Sequence, residues 1–241
     1  MIKFDKAKHL VRTLTVLTVA IAAPAFADSL KITGPGYGGS GNVMSGVYVN
    51  PYDAQFTSST GQVSNIQVFC DDYYASVSLN QSWNVLTTNF DDLAANITST
   101  RWGNPSLAGY VGSAAQALNR YRQAAWLAEK LLAETNKTVQ GQISFALWGL
   151  FTPSALNNLS STNKTAAQSW ISAANTASAS FTAEQFSKFV LYTPTPLVVG
   201  SSPQEFIAIR TPEPGAMTIW LLNGVALAGA VLVLRKRVAL S

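Results

Sequence analysis

Residues Ala114–Glu134 read AAQALNRYRQAAWLAEKLLAE, with apolar side chains at 114, 118, 121, 125, 128 and 132. Steps of three and four residues put these positions on one face of an α-helix, and Ser113 supplies a hydroxyl where the first free amides need a cap. The stretch divides the chain. Downstream the helical period continues, with a second helix expected over about Val139 to Phe151, ended by Pro153, and a third over Lys164 to about Ala177. Upstream the pattern is that of strands. After the turn-rich loop Gly34 to Asn42, short runs alternate at Val43 to Val49, Ile66 to Cys70, Tyr73 to Leu79 and Trp83 to Leu86. Val47 and Val49 fall on one face of the first. Strands are expected again at Phe189 to Tyr192, Leu197 to Val199 and Glu205 to Ile209. The fold class is therefore α+β: a β-sandwich-like half and a helical half, followed by one C-terminal transmembrane helix.

The two ends of the 241-residue chain read as addresses. Lys3, Lys6, Lys8 and Arg12 precede the mostly apolar run Thr13 to Ala23, and Ala25 and Ala27 place small side chains at the −3 and −1 positions before Asp28. This is a secretory signal peptide over residues 1–27, with cleavage expected after Ala27. At the other end, Ala216 to Leu234 carries no charge, long enough for a hydrocarbon core, and Arg235, Lys236 and Arg237 follow at once as a cytoplasmic stop. Residues 28–210 then form a single exported ectodomain. The whole chain has a formal charge of +4, but the body between the addresses holds nine Lys or Arg against ten Asp or Glu. It lacks the basic surface that phosphate neutralisation demands, so a nucleic-acid partner is excluded.

His9 is the only histidine and Cys70 the only cysteine. Removal of the signal peptide takes away the one imidazole, and with it the Ser-His-Asp and Cys-His mechanisms. One thiol allows no internal disulfide and no cysteine-cluster zinc site. No cofactor is expected. The acidic pairs Asp71-Asp72 and Asp91-Asp92 could serve a glycosidase or a calcium site, but no calcium-loop spacing is present, and turn and cap roles are the plainer expectation. Five Asn-x-Ser/Thr triplets, at Asn80, Asn96, Asn136, Asn158 and Asn163, are what a chain rich in these residues produces by chance. Trp126 and Trp148 sit in apolar helical settings, which leaves Trp83, Trp102 and Trp170 as the rings free to meet a glycan.

The triplet Pro212-Glu213-Pro214 stands directly before the apolar span and basic tail. In that order, over residues 211–241, the segment resembles the PEP-CTERM sorting signal of exopolysaccharide-producing Gram-negative bacteria. The resemblance implies export across the inner membrane and handling by two processing enzymes, signal peptidase and an exosortase that cleaves near the motif. It further implies a single-pass precursor that becomes a cell-surface or extracellular protein. The two prolines fix the backbone and remove two amide donors, which keeps the motif extended.

Within the body, Phe69-Cys70-Asp71-Asp72, Ala124-Ala125-Trp126-Leu127 and Ile143-Ser144-Phe145-Ala146-Leu147-Trp148 occur in an order similar to that of bacterial thioester-domain adhesins. In those domains a cysteine and the glutamine of a Gln-x-Ala-aliphatic-Trp motif form an internal thioester that captures an amine on its target. The resemblance makes Cys70 the thiol and puts Ser144 in the glutamine's place. Serine supplies no acyl group. Gln142 and Gln140 are close in sequence, but two residues turn a helical side chain by roughly 200°. The expectation is a non-catalytic surface or matrix protein acting in adhesion, biofilm or exopolysaccharide, with Cys70 as a small buried apolar residue. The alternatives are a covalent adhesin with an atypical acyl partner, and a polysaccharide-binding or processing protein.

Overall fold

A computed structural model describes residues 27–36, 39–107, 111–198 and 202–210. Its architecture is α+β, but the strands close a barrel instead of forming a sandwich. Six of them, β1 (Ser29–Gly34), β4 (Tyr52–Thr57), β5 (Val63–Cys70), β6 (Ser82–Asn89), β7 (Phe189–Pro194) and β8 (Phe206–Ile209), follow the order β1-β4-β5-β8-β7-β6 around the ring. Every pairing is antiparallel. The last two strands come from beyond the helices and insert between β5 and β6. A break in pattern near residue 113 is therefore not a break between domains.

The strands show which walls are covered. β1 has the alternating burial of a strand with one wet face. In β7 all six residues are buried, as are Val68, Phe69 and Cys70 of β5 and Phe206, Ile207 and Ala208 of β8. Register puts Val68, Cys70, Phe206, Ala208, Val190 and Tyr192 on the inner side, where Phe206 packs against Tyr52 and Trp83, and Phe56 against Tyr192. Their neighbours Phe69, Ile207, Phe189 and Leu191 face outward and are buried all the same. The helices α2 (Ala114–Ala133), α3 (Lys137–Phe151) and α4 (Ser161–Ser178) pack on one another, and α2 lies against β8, supplying that cover.

Ser113 caps α2 as expected, accepting from the Gln116 amide at 3.2 Å. The buried side of α2 is broader than one stripe, running through Ala117, Tyr121, Ala124, Ala128 and Leu131 and taking in Gln123, Ala125 and Leu127. Packing against both helices and barrel explains the difference: Ala114 and Leu132, assigned to the buried face from sequence, are exposed. Residues 43–49 are not one strand. They form a hairpin of β2 (Val43–Met44) and β3 (Val47–Tyr48), turned at Ser45 and Gly46 with φ of 52° and 81°, the double positive φ that a tight hairpin turn needs. Tyr73 to Leu79 is a loop, because Asp72 Oδ1 accepts the Tyr74 and Ala75 amides, each at 3.1 Å, and bends the chain. Leu197 and Val198 are also outside any strand. The described residues also include two short α-helices, α1 (Leu93–Asn96) and α5 (Ala183–Ser187). No described helix is long and apolar enough to cross a membrane, and residues 216–234 lie outside the described residues.

Candidate functional site

Cys70 closes β5, with its side chain on the inner side at one end of the barrel. Asn50 takes the place of a neighbouring strand there: its Oδ1 accepts from the Cys70 amide at 2.7 Å and its Nδ2 donates to the Cys70 carbonyl at 3.1 Å. The thiol donates to the Asp72 carbonyl at 3.0 Å and accepts from the Asp72 amide at 3.3 Å. Cys70 is fully buried, as expected. Burial pushes its pKa well up, the charges of Asp72 and Asp71 push the same way, and the Asp72 backbone and the Trp148 indole only partly oppose them. A thiol so placed stays protonated and is a poor nucleophile.

The segment after Cys70 leans on α3. The Tyr73 ring packs against Phe145 at 5.7 Å and Trp148 at 5.3 Å between centroids. Ser144 lies one turn before Trp148 on the same helix, hence on the same face. Its hydroxyl is fully buried with no hydrogen-bond partner, and the Trp148 indole nitrogen has none of ordinary geometry. The nearby glutamines are committed elsewhere. Gln140 Nε2 donates to the Glu134 carbonyl at 2.7 Å, and its Oε1 accepts from Asn42. Gln142 Nε2 donates to Asn163 Oδ1 at 3.0 Å.

Alongside lies a buried acidic cluster in which the Asp71-Asp72 pair marked by the sequence meets Glu205, which was not among the expected site residues. Asp71 follows β5 and Glu205 precedes β8, and the Asp71 amide donates to the Glu205 carbonyl at 3.4 Å, so the β5–β8 ladder brings the two acids together. Glu205 is fully buried and surrounded by donors: Tyr121 to Oε1 at 2.5 Å, Thr193 to Oε2 at 2.5 Å and the Arg101 amide to Oε2 at 3.0 Å. Asp71 is equally buried, and neither of its oxygens has a hydrogen bond of ordinary geometry. Burial raises both carboxyl pKa values. For Asp71 the charges of Glu205 and Asp72 and the contact with Glu205 raise it further, whereas the surrounding donors pull Glu205 back. Of the two, Asp71 is therefore the acid that holds its proton more firmly. Arg101 Nε pairs with Asp72 Oδ2 at 2.6 Å, so one arginine serves two acids, by backbone and by side chain.

The other expected positions are dispersed. Trp102 is buried and stacked on Phe151 at 5.2 Å, so it is not available to a glycan, while Trp83 and Trp170 are half-buried. Trp148 is a core residue; Trp126 is half-buried and packs on Trp170. Asp72 has the turn role assigned to it. Asp92 stands at the start of α1 without capping it through its side chain. Ala27 is exposed. Ala25, Pro212, Glu213, Pro214, Arg235, Lys236 and Arg237 lie outside the described residues. Glu205 could have been suspected from sequence as a lone acid opening an apolar strand; Tyr121, Thr193 and Arg101 carry no such signal.

Fold and site together define a protein whose helical layer seals a cysteine and a carboxylic acid pair against one wall and one end of a closed barrel. No protein-family model matches the sequence, and no curated protein does. Two solved structures are similar. One is the N-terminal thioester domain of a surface protein from Clostridium perfringens, at 12% identity and a TM-score of 0.45, covering 77% of this chain and 99% of that one. The other is the N-terminal domain of the Streptococcus pyogenes pilus tip adhesin Cpa, at 7% identity and a TM-score of 0.45, covering 78% of this chain and 95% of that one.

Proposed function

We propose that this chain is an exported cell-surface or matrix protein that makes its contacts without covalent chemistry, in adhesion or in an exopolysaccharide matrix. The address is read from the sequence: a cleavable signal at residues 1–27 and a sorting segment at 211–241, handled by signal peptidase and exosortase. The observation that carries the non-covalent part is the Cys70 site. Its thiol is sealed and bonded to the Asp72 backbone, the motif position for an acyl donor is occupied by Ser144, and Gln140 and Gln142 are both engaged with other partners.

A hydrolytic reading finds little support in the acids. Asp71 and Glu205 are fully buried and in mutual contact, whereas glycosidase carboxylates face a substrate across a cleft. The intact mass of the exported protein tests the proposal. A free thiol requires the mass of the unmodified mature sequence, no methylamine adduct, and one thiol per chain after denaturation. A mass deficit of one ammonia, with methylamine restoring and exceeding it, would establish a thioester and overturn the reading. Fractionation with C-terminal peptide mapping tests the address: recovery of Arg235 to Arg237 in the mature protein would contradict processing.

A further inference from the structure

Asp71 and Glu205 touch, but they are held very differently. Tyr121 from α2, Thr193 from β7 and the Arg101 amide all donate to Glu205, which fixes the head of β8 from three directions. Asp71 is fully buried, and neither of its oxygens has a hydrogen bond of ordinary geometry. It stands just past the end of β5, where the Asp71 amide reaches the Glu205 carbonyl through a long bond of 3.4 Å. The segment it begins covers the thiol, because Cys70 Sγ is bonded to both the amide and the carbonyl of Asp72. Other ties of residues 71–75 are few: Arg101 to the Asp72 carboxylate, Gln204 Nε2 to the Asp72 and Ala75 carbonyls, and the Tyr73 ring on Phe145 and Trp148.

The groups around the contact make a proton its closing element. Cys70 and Asp72 flank Asp71 on its own segment, Glu205 faces it from β8, Tyr121 from α2, and Arg101 comes from the loop before α2. β7 adds the neutral Thr193 hydroxyl, and α3, whose one charged residue is Lys137 at its far end, brings the Trp148 indole to Cys70. Arg101 is the cation, and Asp72 Oδ2 takes its Nε at 2.6 Å. Two carboxylates in contact in a dry space repel, so one of them keeps a proton. With that proton, Asp71 can donate to Glu205. Without it, Glu205 keeps its three donors as an anion, whereas Asp71 gains hydration only by leaving. Asp71 is the half that moves.

We propose that the Asp71–Glu205 contact is a proton-operated latch: protonated, it holds residues 71–75 down over Cys70 at the end of the barrel, and deprotonated, it releases that segment while the rest of the fold stays closed. Burial holds both carboxyls above their ordinary range, which puts release on the alkaline side of that range. One proton leaves with each opening. The opening constant therefore rises about tenfold for each pH unit above the folded titration of the pair and is level below it.

Labelling of Cys70 in the full-length chain tests this, with each rate divided by that of the urea-denatured chain at the same pH to remove the reagent's own preference for thiolate. The normalised rate is expected to rise by about tenfold per pH unit on the alkaline limb, with a urea dependence far below that of global unfolding. Asp71→Asn keeps a neutral donor against Glu205 and is expected to give a flat profile. Glu205→Gln is expected to do the same and serves if the first variant fails to accumulate. Hydrogen exchange at the Asp71 amide reads the same opening without the thiol, so a modified Cys70, which would overturn the non-covalent reading of the site, leaves this test intact. A flat profile in the unaltered chain, a rise that survives Asp71→Asn, or a rise with the urea slope of global unfolding would overturn the proposal.

Discussion

The Tyr121 hydroxyl donates to Glu205 Oε1 at 2.5 Å, joining α2 to the head of β8 across 84 residues of sequence. The same oxygen accepts from the Trp102 amide at 3.2 Å, so Tyr121 ties the loop before α2 to the acid as well. Burial pushes the Tyr121 pKa well up, followed by the charges of Glu205 and Asp71, which keeps the proton available for donation. Tyr121→Phe removes both bonds while preserving the ring. It is expected to cost about 1.5 to 3 kcal/mol in urea unfolding, the range for a buried bond to a charged acceptor. A loss within error of zero would mean that water or Thr193 takes over the carboxylate.

The proton held between Asp71 and Glu205 makes stability depend on pH in a definite direction. Both carboxyls have folded pKa values above their unfolded ones. The folded state thus binds this proton more tightly, and the contribution is fully present below the ordinary carboxylate range. It is lost as pH rises through the folded values. Asp71→Asn replaces the acid by a permanently neutral donor of the same shape. The unaltered protein should show a urea midpoint that falls as pH rises above the ordinary carboxylate range, and the variant a flatter one. Parallel curves would show that the pair does not share a proton.

Cys70 is expected to resist thiol reagents in the folded protein. Burial and two nearby acids hold the thiol neutral, and its sulfur is engaged by the Asp72 backbone. Modification should proceed at the rate of chain opening and become rapid only in denaturant. Fast labelling under native conditions would mean that the barrel end opens on its own.

Arg101 and Asp72 differ in what their removal leaves behind. Arg101→Met strips the ion pair from a carboxylate side chain that is only 1% exposed, and is expected to cost about 3 kcal/mol, reduced somewhat because Arg101 itself is 17% exposed. Asp72→Asn keeps an oxygen for the Tyr74 and Ala75 amides and should cost less, and Asp72→Ala more, because it also releases the turn. Urea midpoints in another order would show that the turn, not the pair, dominates.

Gly141 lies where α3 meets the β2–β3 hairpin, and a Cβ there would come 2.4 Å from Met44 Cε and 2.7 Å from its sulfur. Both atoms end a flexible side chain that can swing aside, so Gly141→Ala should change stability little, the cost of moving Met44 offsetting alanine's better helix propensity, worth about 1 kcal/mol. With Met44→Ala in the same chain the propensity gain should appear, and thermal unfolding of the two single variants and the pair measures the coupling.

The sequence by itself determined the elements whose signal is local. Periodicity and a serine cap marked α2, Pro153 marked the end of α3, and alternating apolar residues marked the cores of β5, β6, β7 and β8. The addresses expected at both ends would be linear in the same way, because such signals are read as extended or membrane-spanning segments. What the sequence could not carry was pairing. Strand propensity in Phe189 to Ile209 says nothing of insertion between β5 and β6, and that insertion alone turns a sandwich into a closed barrel. The same holds for the acids. Asp71 stands out in sequence only beside Asp72, and only the β5–β8 register puts it in one dry space with Glu205, Tyr121 and Thr193. Trp102 and Leu132 were misjudged for the same reason: exposure depends on what the helical layer covers, a choice made by packing between distant segments. Local chemistry decides which elements form, and their mutual burial decides which side chains meet.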